Sequence, residues 1–198
     1  EEGVVYLGSF SKTLAPGFRV GWALAPHAIR EKLVLANESA VLAPNSFGQY
    51  VVNAYLDAAD WKGQVDTFRG IYAERRDAML SALGEFLPDL SWTKPNGGFF
   101  VWLTLPGSLD SKGMLPRAVK ELVAYTPGTA FYADGRGGGH IRLSFCYPTP
   151  EQIRVGVKRL ANVVNDELEL IETFGPTTRP NTVVRATSSV SAPPPNIS

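Results

Sequence analysis

One cysteine, Cys146, and two histidines, His27 and His140, are the only thiol and imidazole groups in 198 residues. A single cysteine excludes an internal disulfide and fits a reducing, cytoplasmic setting. With so few soft ligands, no metal cluster can be assembled at recognised spacings, and no metal is expected. Charge of one sign is also missing. Nineteen Lys and Arg balance nineteen Asp and Glu, and no basic block stands out, which argues against nucleic acid as a main partner. No apolar run approaches the roughly eighteen residues of a membrane span, so no membrane association is expected. The chain opens Glu1-Glu2-Gly3, with no basic segment ahead of an apolar one, so a signal peptide is not expected. It lacks an initiator methionine and starts almost inside the apolar run Val4–Leu7, and it reads as the C-terminal part of a longer protein.

What is present is a regular alternation of short apolar runs and helical patterns. Val4–Leu7, stopping at Gly8, reads as a buried parallel strand. Residues 8–18 follow as a loop with Pro16-Gly17 as a turn signal, and Arg19–Ala25 reads as a second strand. A helix is predicted from Ala28 to about Ala43, ended by Pro44. Asn45-Ser46 can cap another through Leu56. From Trp61 to Leu87, Val65, Phe68, Tyr72, Met79, Leu83 and Phe86 or Leu87 mark one face of a long helix, closed by Pro88. Gly98–Leu105 reads as a strand with both faces covered, Met114–Ala124 as a helix with Pro116 in its first turn, and His140–Phe145 as another strand. Thr149-Pro150-Glu151-Gln152 is a capping box. It opens a helix along Ile153, Val157, Leu160, Val164, Leu168 and Ile171. Gly135–Gly139 with Arg136 lacks the Lys-Ser/Thr ending of a phosphate loop and reads as a flexible hairpin. Beyond Gly175 the composition turns to Pro, Ser, Thr and Asn, too poor in apolar area to order itself.

Chemistry concentrates near the start. Ser9-Phe10-Ser11-Lys12, followed by Arg19 in Pro16-Gly17-Phe18-Arg19-Val20-Gly21-Trp22, sets a lysine, two hydroxyls and an arginine inside eleven residues. A lysine amine forms a Schiff base with a carbonyl, including the aldehyde of pyridoxal phosphate. A phosphate is suited by small hydroxyl donors and a guanidinium fork. Ser9 and Ser11 can equally satisfy loop amides. Farther along, Ile141, Leu143 and Phe145 share one face of a strand, which turns Arg142 and Ser144 to the other. An arginine there needs an anion if it is buried. That anion can be a ligand or a structural carboxylate. Ser9-x-x-Lys12 also fits the nucleophile motif of β-lactamases, but the accompanying Ser-Asp-Asn and Lys-Thr-Gly are absent.

The string from Tyr6 to Trp22 resembles the cofactor-lysine segment of class I/II aminotransferases, the fold-type I pyridoxal-phosphate enzymes. The resemblance extends through Pro95-Asn96-Gly97-Gly98-Phe99-Phe100-Val101-Trp102, Pro127-Gly128-Thr129-Ala130-Phe131 and Ile141-Arg142-Leu143-Ser144-Phe145, to about Phe174. It is most similar to the branch of 2-aminoadipate and broad-specificity aminotransferases. The resemblance implies an α/β fold: residues 1–60 as the end of a large cofactor domain, 61–87 as a connecting helix, 88–174 as a small C-terminal α+β domain, and 175–198 as a disordered tail. It implies pyridoxal 5'-phosphate held by Lys12 as an internal aldimine, with Ser9, Ser11 and Arg19 on the phosphate and Arg142 on the substrate α-carboxylate. It further implies an amino-acid donor of the aromatic, branched-chain or 2-aminoadipate type, a 2-oxo acid acceptor such as 2-oxoglutarate, and a homodimer. The family's acidic partner for the pyridine nitrogen, its ring-stacking aromatic and its first phosphate loop fall upstream of the lysine strand. The isolated chain is therefore expected to be nearly inactive. Two alternatives share the lysine segment: the aminotransferase-like effector domain of a winged-helix transcription regulator, and a related pyridoxal-phosphate lyase, synthase or decarboxylase.

Overall fold

The computed structural model describes residues 3–175, and these fall into two compact units that divide between Ala78 and Met79. The expected disordered tail lies outside the described residues, apart from Gly175, which caps the last helix.

The first unit holds β1 (Tyr6–Ser9), β2 (Gly21–Leu24), α1 (His27–Val41), α2 (Ser46–Ala58) and most of α3 (Trp61–Phe86). β1 is not the buried parallel strand expected from its composition. It pairs antiparallel with β2, Tyr6 opposite Leu24 and Ser9 opposite Gly21. The short connection through residues 10–20 explains this. It can reverse the chain, whereas a parallel return needs a crossover of about a dozen residues or more, usually helical. The strand faces are open: Tyr6, Leu7, Trp22 and Leu24 are all exposed. α1 ends at Val41, with Leu42 at φ 61° as its cap, rather than running to Ala43. Asn45 caps α2, its side chain accepting from the Gly48 N–H at 2.9 Å. In α3 the periodic face is buried only in the last turns, at Met79, Ala82 and Leu83.

The second unit is built on a four-stranded antiparallel sheet. β3 (Ser91–Trp92), β4 (Phe100–Thr104), β6 (His140–Ser144) and β5 (Thr126–Pro127) lie in the order β3-β4-β6-β5. Strict alternation decides what is buried. Val101, Leu103, Ile141 and Leu143 are buried with Met79 and Leu83 of α3, Met114 and Ala118 of α4 (Ser111–Lys120), and Ile153, Val157, Leu160 and Val164 of α5 (Pro150–Phe174). The opposite face of β4 is only half covered, with Phe100 exposed and Trp102 intermediate, so the expectation of two covered faces is corrected.

Two helix starts contrast. α5 opens with the expected capping box: Thr149 Oγ1 accepts from the Gln152 N–H at 3.3 Å and Gln152 Oε1 from the Thr149 N–H at 2.9 Å. α4 begins three residues earlier than expected, because Asp110 caps it by accepting from the Gly113 N–H at 2.8 Å. Pro116 therefore sits inside the helix and not in its first turn. The Arg154 guanidinium of α5 reaches Glu85 of α3 through two hydrogen bonds, one of 2.5 Å, and holds that carboxyl below its ordinary range. The glycine run at 135–139 is anchored rather than loose, since Gly139 O accepts from Leu105 N and Gly138 O from Ser111 N.

Candidate functional site

Ser9 ends β1, while Ser11, Lys12 and Arg19 lie on the connection from it to β2, and the backbone there is tightly tied. The Phe10 N–H donates to Val20 O at 3.1 Å, which extends the ladder by one rung past the strands. Leu14 and Ala15 both donate to Phe10 O, at 2.9 and 3.1 Å, which folds residues 10–14 into a compact turn with Lys12 exposed at its tip. Ser9 Oγ accepts from the Ser11 N–H at 3.2 Å. One of the two hydroxyls thus already stabilises the turn, as the non-ligand reading of the serines allowed. After the turn, residues Pro16–Phe18 form a 3-10 helix, and Arg19 caps it with φ 54° and ψ 36°. The left-handed region is unusual for a residue with a side chain.

Gly8 is fixed by its neighbour. The Trp22 indole, tilted against the Tyr6 ring at 5.2 Å, lies across the face of Gly8, so a Cβ there would overlap Trp22 Cε2. This ring is the first aromatic of the site that sequence reasoning did not single out.

Lys12 and Arg19 have no carboxylate or other hydrogen-bonding side-chain partner among the described residues. Two exposed cations and two hydroxyls between Ser9 and Arg19, without an acidic partner for either cation among the described residues, make a set that suits an anion bearing an aldehyde.

Arg142 belongs to the other compact unit. It lies on β6 opposite Trp102 of β4 and Thr126 of β5, turned away from the buried Ile141 and Leu143. Its guanidinium carbon is 3.9 Å from the Phe100 ring centroid and 4.5 Å from that of Phe131. Phe131 is itself held edge-on by Trp102 at 5.4 Å. The half-buried cation is thus flanked by aromatic rings rather than by a carboxylate, which leaves its in-plane N–H donors for an acceptor. The structural ion-pair reading of Arg142 finds no partner among the described residues. Sequence reasoning missed the two phenylalanines. Phe100 is paired with Ser144, so it lies diagonal to Arg142 on the same face. Only the β4–β6 register makes that visible.

Cys146 is half-buried with Sγ 3.1 Å from Ser144 Oγ, as a small packing residue would be. Among the described residues no group of His, Cys, Asp and Glu is placed to hold a metal ion, and no helix is long and apolar enough to cross a membrane.

The family description "Aminotransferase class I and II" matches residues 1–160. The aromatic-amino-acid aminotransferase 1 of Thermococcus litoralis is 49% identical over 172 residues, covering 85% of this chain and 41% of the relative. The 2-aminoadipate transaminase of Thermus thermophilus is 39% identical over 170 residues, covering 85% and 43%. A kynurenine aminotransferase of Pyrococcus horikoshii, solved in complex with PMP, superposes with a TM-score of 0.81 at 48% identity, covering 85% of this chain and 42% of that one. The chain thus spans about two fifths of the length of the relatives it matches.

Proposed function

Because the chain belongs to the class I and II aminotransferase family, we propose that its residues hold pyridoxal 5'-phosphate and an amino-acid substrate for amino-group transfer. The fold class is that of the type I pyridoxal-phosphate transferases. The proposed reaction moves an amino group from an L-amino acid of the aromatic, branched-chain or 2-aminoadipate type to a 2-oxo acid such as 2-oxoglutarate. The Thermococcus litoralis and Thermus thermophilus relatives support the aromatic and 2-aminoadipate donors. The proposal for the whole protein includes a homodimer and a cytoplasmic location. It also treats residues 1–60 as part of a cofactor domain, 61–87 as a connecting helix and 88–174 as a small domain.

The observation that carries the reading is the tied turn that presents Lys12, with Arg19 farther along the same connection and no salt-bridge partner for either among the described residues. When bound, the cofactor supplies an electron sink for charge that develops at the substrate Cα. Lys12 holds the cofactor aldehyde in the resting protein. Its amine, once displaced by an incoming amino group, would serve as the base that takes the proton from the substrate Cα and as the acid that gives it back. Arg19 contributes charge to the phosphate, while Ser9 and Ser11 contribute hydroxyl geometry. The planar donor fork of Arg142 receives the α-carboxylate, with Phe100 and Phe131 restricting the plane in which it can lie.

Borohydride reduction of the holoenzyme, followed by peptide mapping, tests the assignment. The phosphopyridoxyl group is expected on Lys12, and labelling at Lys32 or Lys94 overturns it.

A further inference from the structure

Arg19 can meet an anion reproducibly only if its backbone is held, and that backbone is in a conformation that residues with a Cβ avoid. Such conformations persist where the surroundings over-determine them. One restraint is local: the Arg19 N–H donates to Pro16 O at 3.3 Å. The other comes from Asn45, at the start of α2. Its Nδ2 donates to Phe18 O at 3.3 Å, across 27 residues of sequence, while its Oδ1 accepts from the Gly48 N–H at 2.9 Å. Only this orientation of the carboxamide satisfies both contacts, because one needs a donor and the other an acceptor.

Gly48 completes the seat. It is buried between exposed Phe47 and Gln49. A Cβ there would stand 2.7 Å from Asn45 Nδ2 and 3.1 Å from Phe18 O. The bare backbone of Gly48 therefore lets the loop carbonyl and the carboxamide pack together on the first turn of α2.

We propose that Asn45 is a positioning residue for the cofactor phosphate: it pins the Phe18–Arg19 peptide to α2 and thereby sets the direction in which Arg19 leaves the loop. The inference rests on the proposed assignment of Arg19 to that phosphate. A residue that serves only as a helix cap needs an acceptor alone. Asp and Ser both keep a capping oxygen and lack the amide donor, so they separate the two roles.

The test uses the protein freed of cofactor and titrated with pyridoxal 5'-phosphate and, separately, with phosphate-free pyridoxal, in parallel with thermal unfolding. Asn45→Ser is expected to keep the thermal midpoint close to that of the parent. It should weaken pyridoxal phosphate binding about threefold to tenfold, the scale of one net neutral hydrogen bond, and leave pyridoxal binding unchanged. Asn45→Asp should lose more, since its added negative charge faces the same anion. Arg19→Ala calibrates the experiment and should also weaken only the phosphorylated ligand. If Arg19→Ala does so and Asn45→Ser binds both ligands as the parent does, the positioning role is overturned while the Arg19 assignment stands. If Arg19→Ala leaves the ratio of the two affinities unchanged, the Arg19 assignment falls and the inference with it. Should Asn45→Ser fail to fold, Asn45→Thr, which keeps a capping oxygen without adding charge, takes its place and is combined with Arg19→Ala in a double variant. The double variant is expected to bind pyridoxal phosphate no more weakly than Arg19→Ala alone, and full additivity overturns the proposal.

Discussion

Replacing Arg142 tests the proposed carboxylate contact of the second unit. The guanidinium sits 3.9 and 4.5 Å from two ring centroids on a strand flanked by two others, so its removal leaves the sheet intact. A hydrogen bond to a charged group contributes about 1.5–3 kcal/mol. At about 1.4 kcal/mol per tenfold, Arg142→Ala should raise the KM for an amino-acid donor roughly 10- to 150-fold. The ring contacts contribute a further ~0.5–2 kcal/mol toward holding the cation, and that part is lost to a shorter ammonium. Arg142→Lys should therefore fall between the parent and Arg142→Ala, because it keeps the charge but loses the fork and the stacking. Steady-state kinetics on a carboxylate-bearing donor and on a simple amine lacking that group supply the assay. Discrimination between the two should collapse in Arg142→Ala, while the cofactor absorbance spectrum is unchanged. If Arg142→Ala loses the cofactor and Arg19→Ala keeps it, the two assignments are reversed. If discrimination survives, the carboxylate role is wrong.

Two further outcomes follow from geometry described above. Glu85 has a folded-state pKa lowered from 4.5 by its hydrogen bonds to Arg154, so the stability it contributes is present above that value and is lost as pH falls through the folded one. Glu85→Gln should flatten the acid limb of a plot of Tm against pH, and an unchanged limb would show that this exposed pair contributes nothing measurable. Gly8→Ala should push the Trp22 indole off the strand, because a Cβ would overlap it. A fluorotryptophan NMR signal from Trp22 that does not move would refute the packing.

How much of this was legible in the sequence depended on whether the signal was local. The capping box at Thr149–Gln152 is a four-residue device, and its hydrogen bonds form as the residue types require. The burial of Ile141 and Leu143 with Arg142 turned away follows from period-two alternation alone. β1 misled because an apolar, β-branched run looks the same whether its neighbour is parallel or antiparallel, and pairing is decided by the length of the return path. The two-residue strands β3 and β5 were invisible, being too short to show any period. α4 was displaced because Pro116 signals a first turn strongly, while the cap at Asp110 carries no apolar residue to announce it. Of the proposed site, Lys12, Ser9, Ser11, Arg19 and Arg142 are proposed from residue type, motif and family resemblance. Asn45, Phe100 and Phe131 reach their partners across 27, 42 and 11 residues respectively, the first by a hydrogen bond and the others by ring contacts with Arg142. Such separations leave no trace in local spacing.

The strand order of the second unit also bears on its behaviour in crowded solution. Its outermost members, β3 and β5, each pair over two residues, and one residue of β5 is Pro127, which has no N–H to offer. A foreign strand approaching from either side meets too short a row of free amides and carbonyls to dock. Of the central pair, β3 covers Leu103 and Thr104 of β4, and β5 covers Ile141 and Arg142 of β6. The sheet that carries Arg142 is in this way protected against edge-to-edge polymerisation by the brevity of its margins rather than by charge.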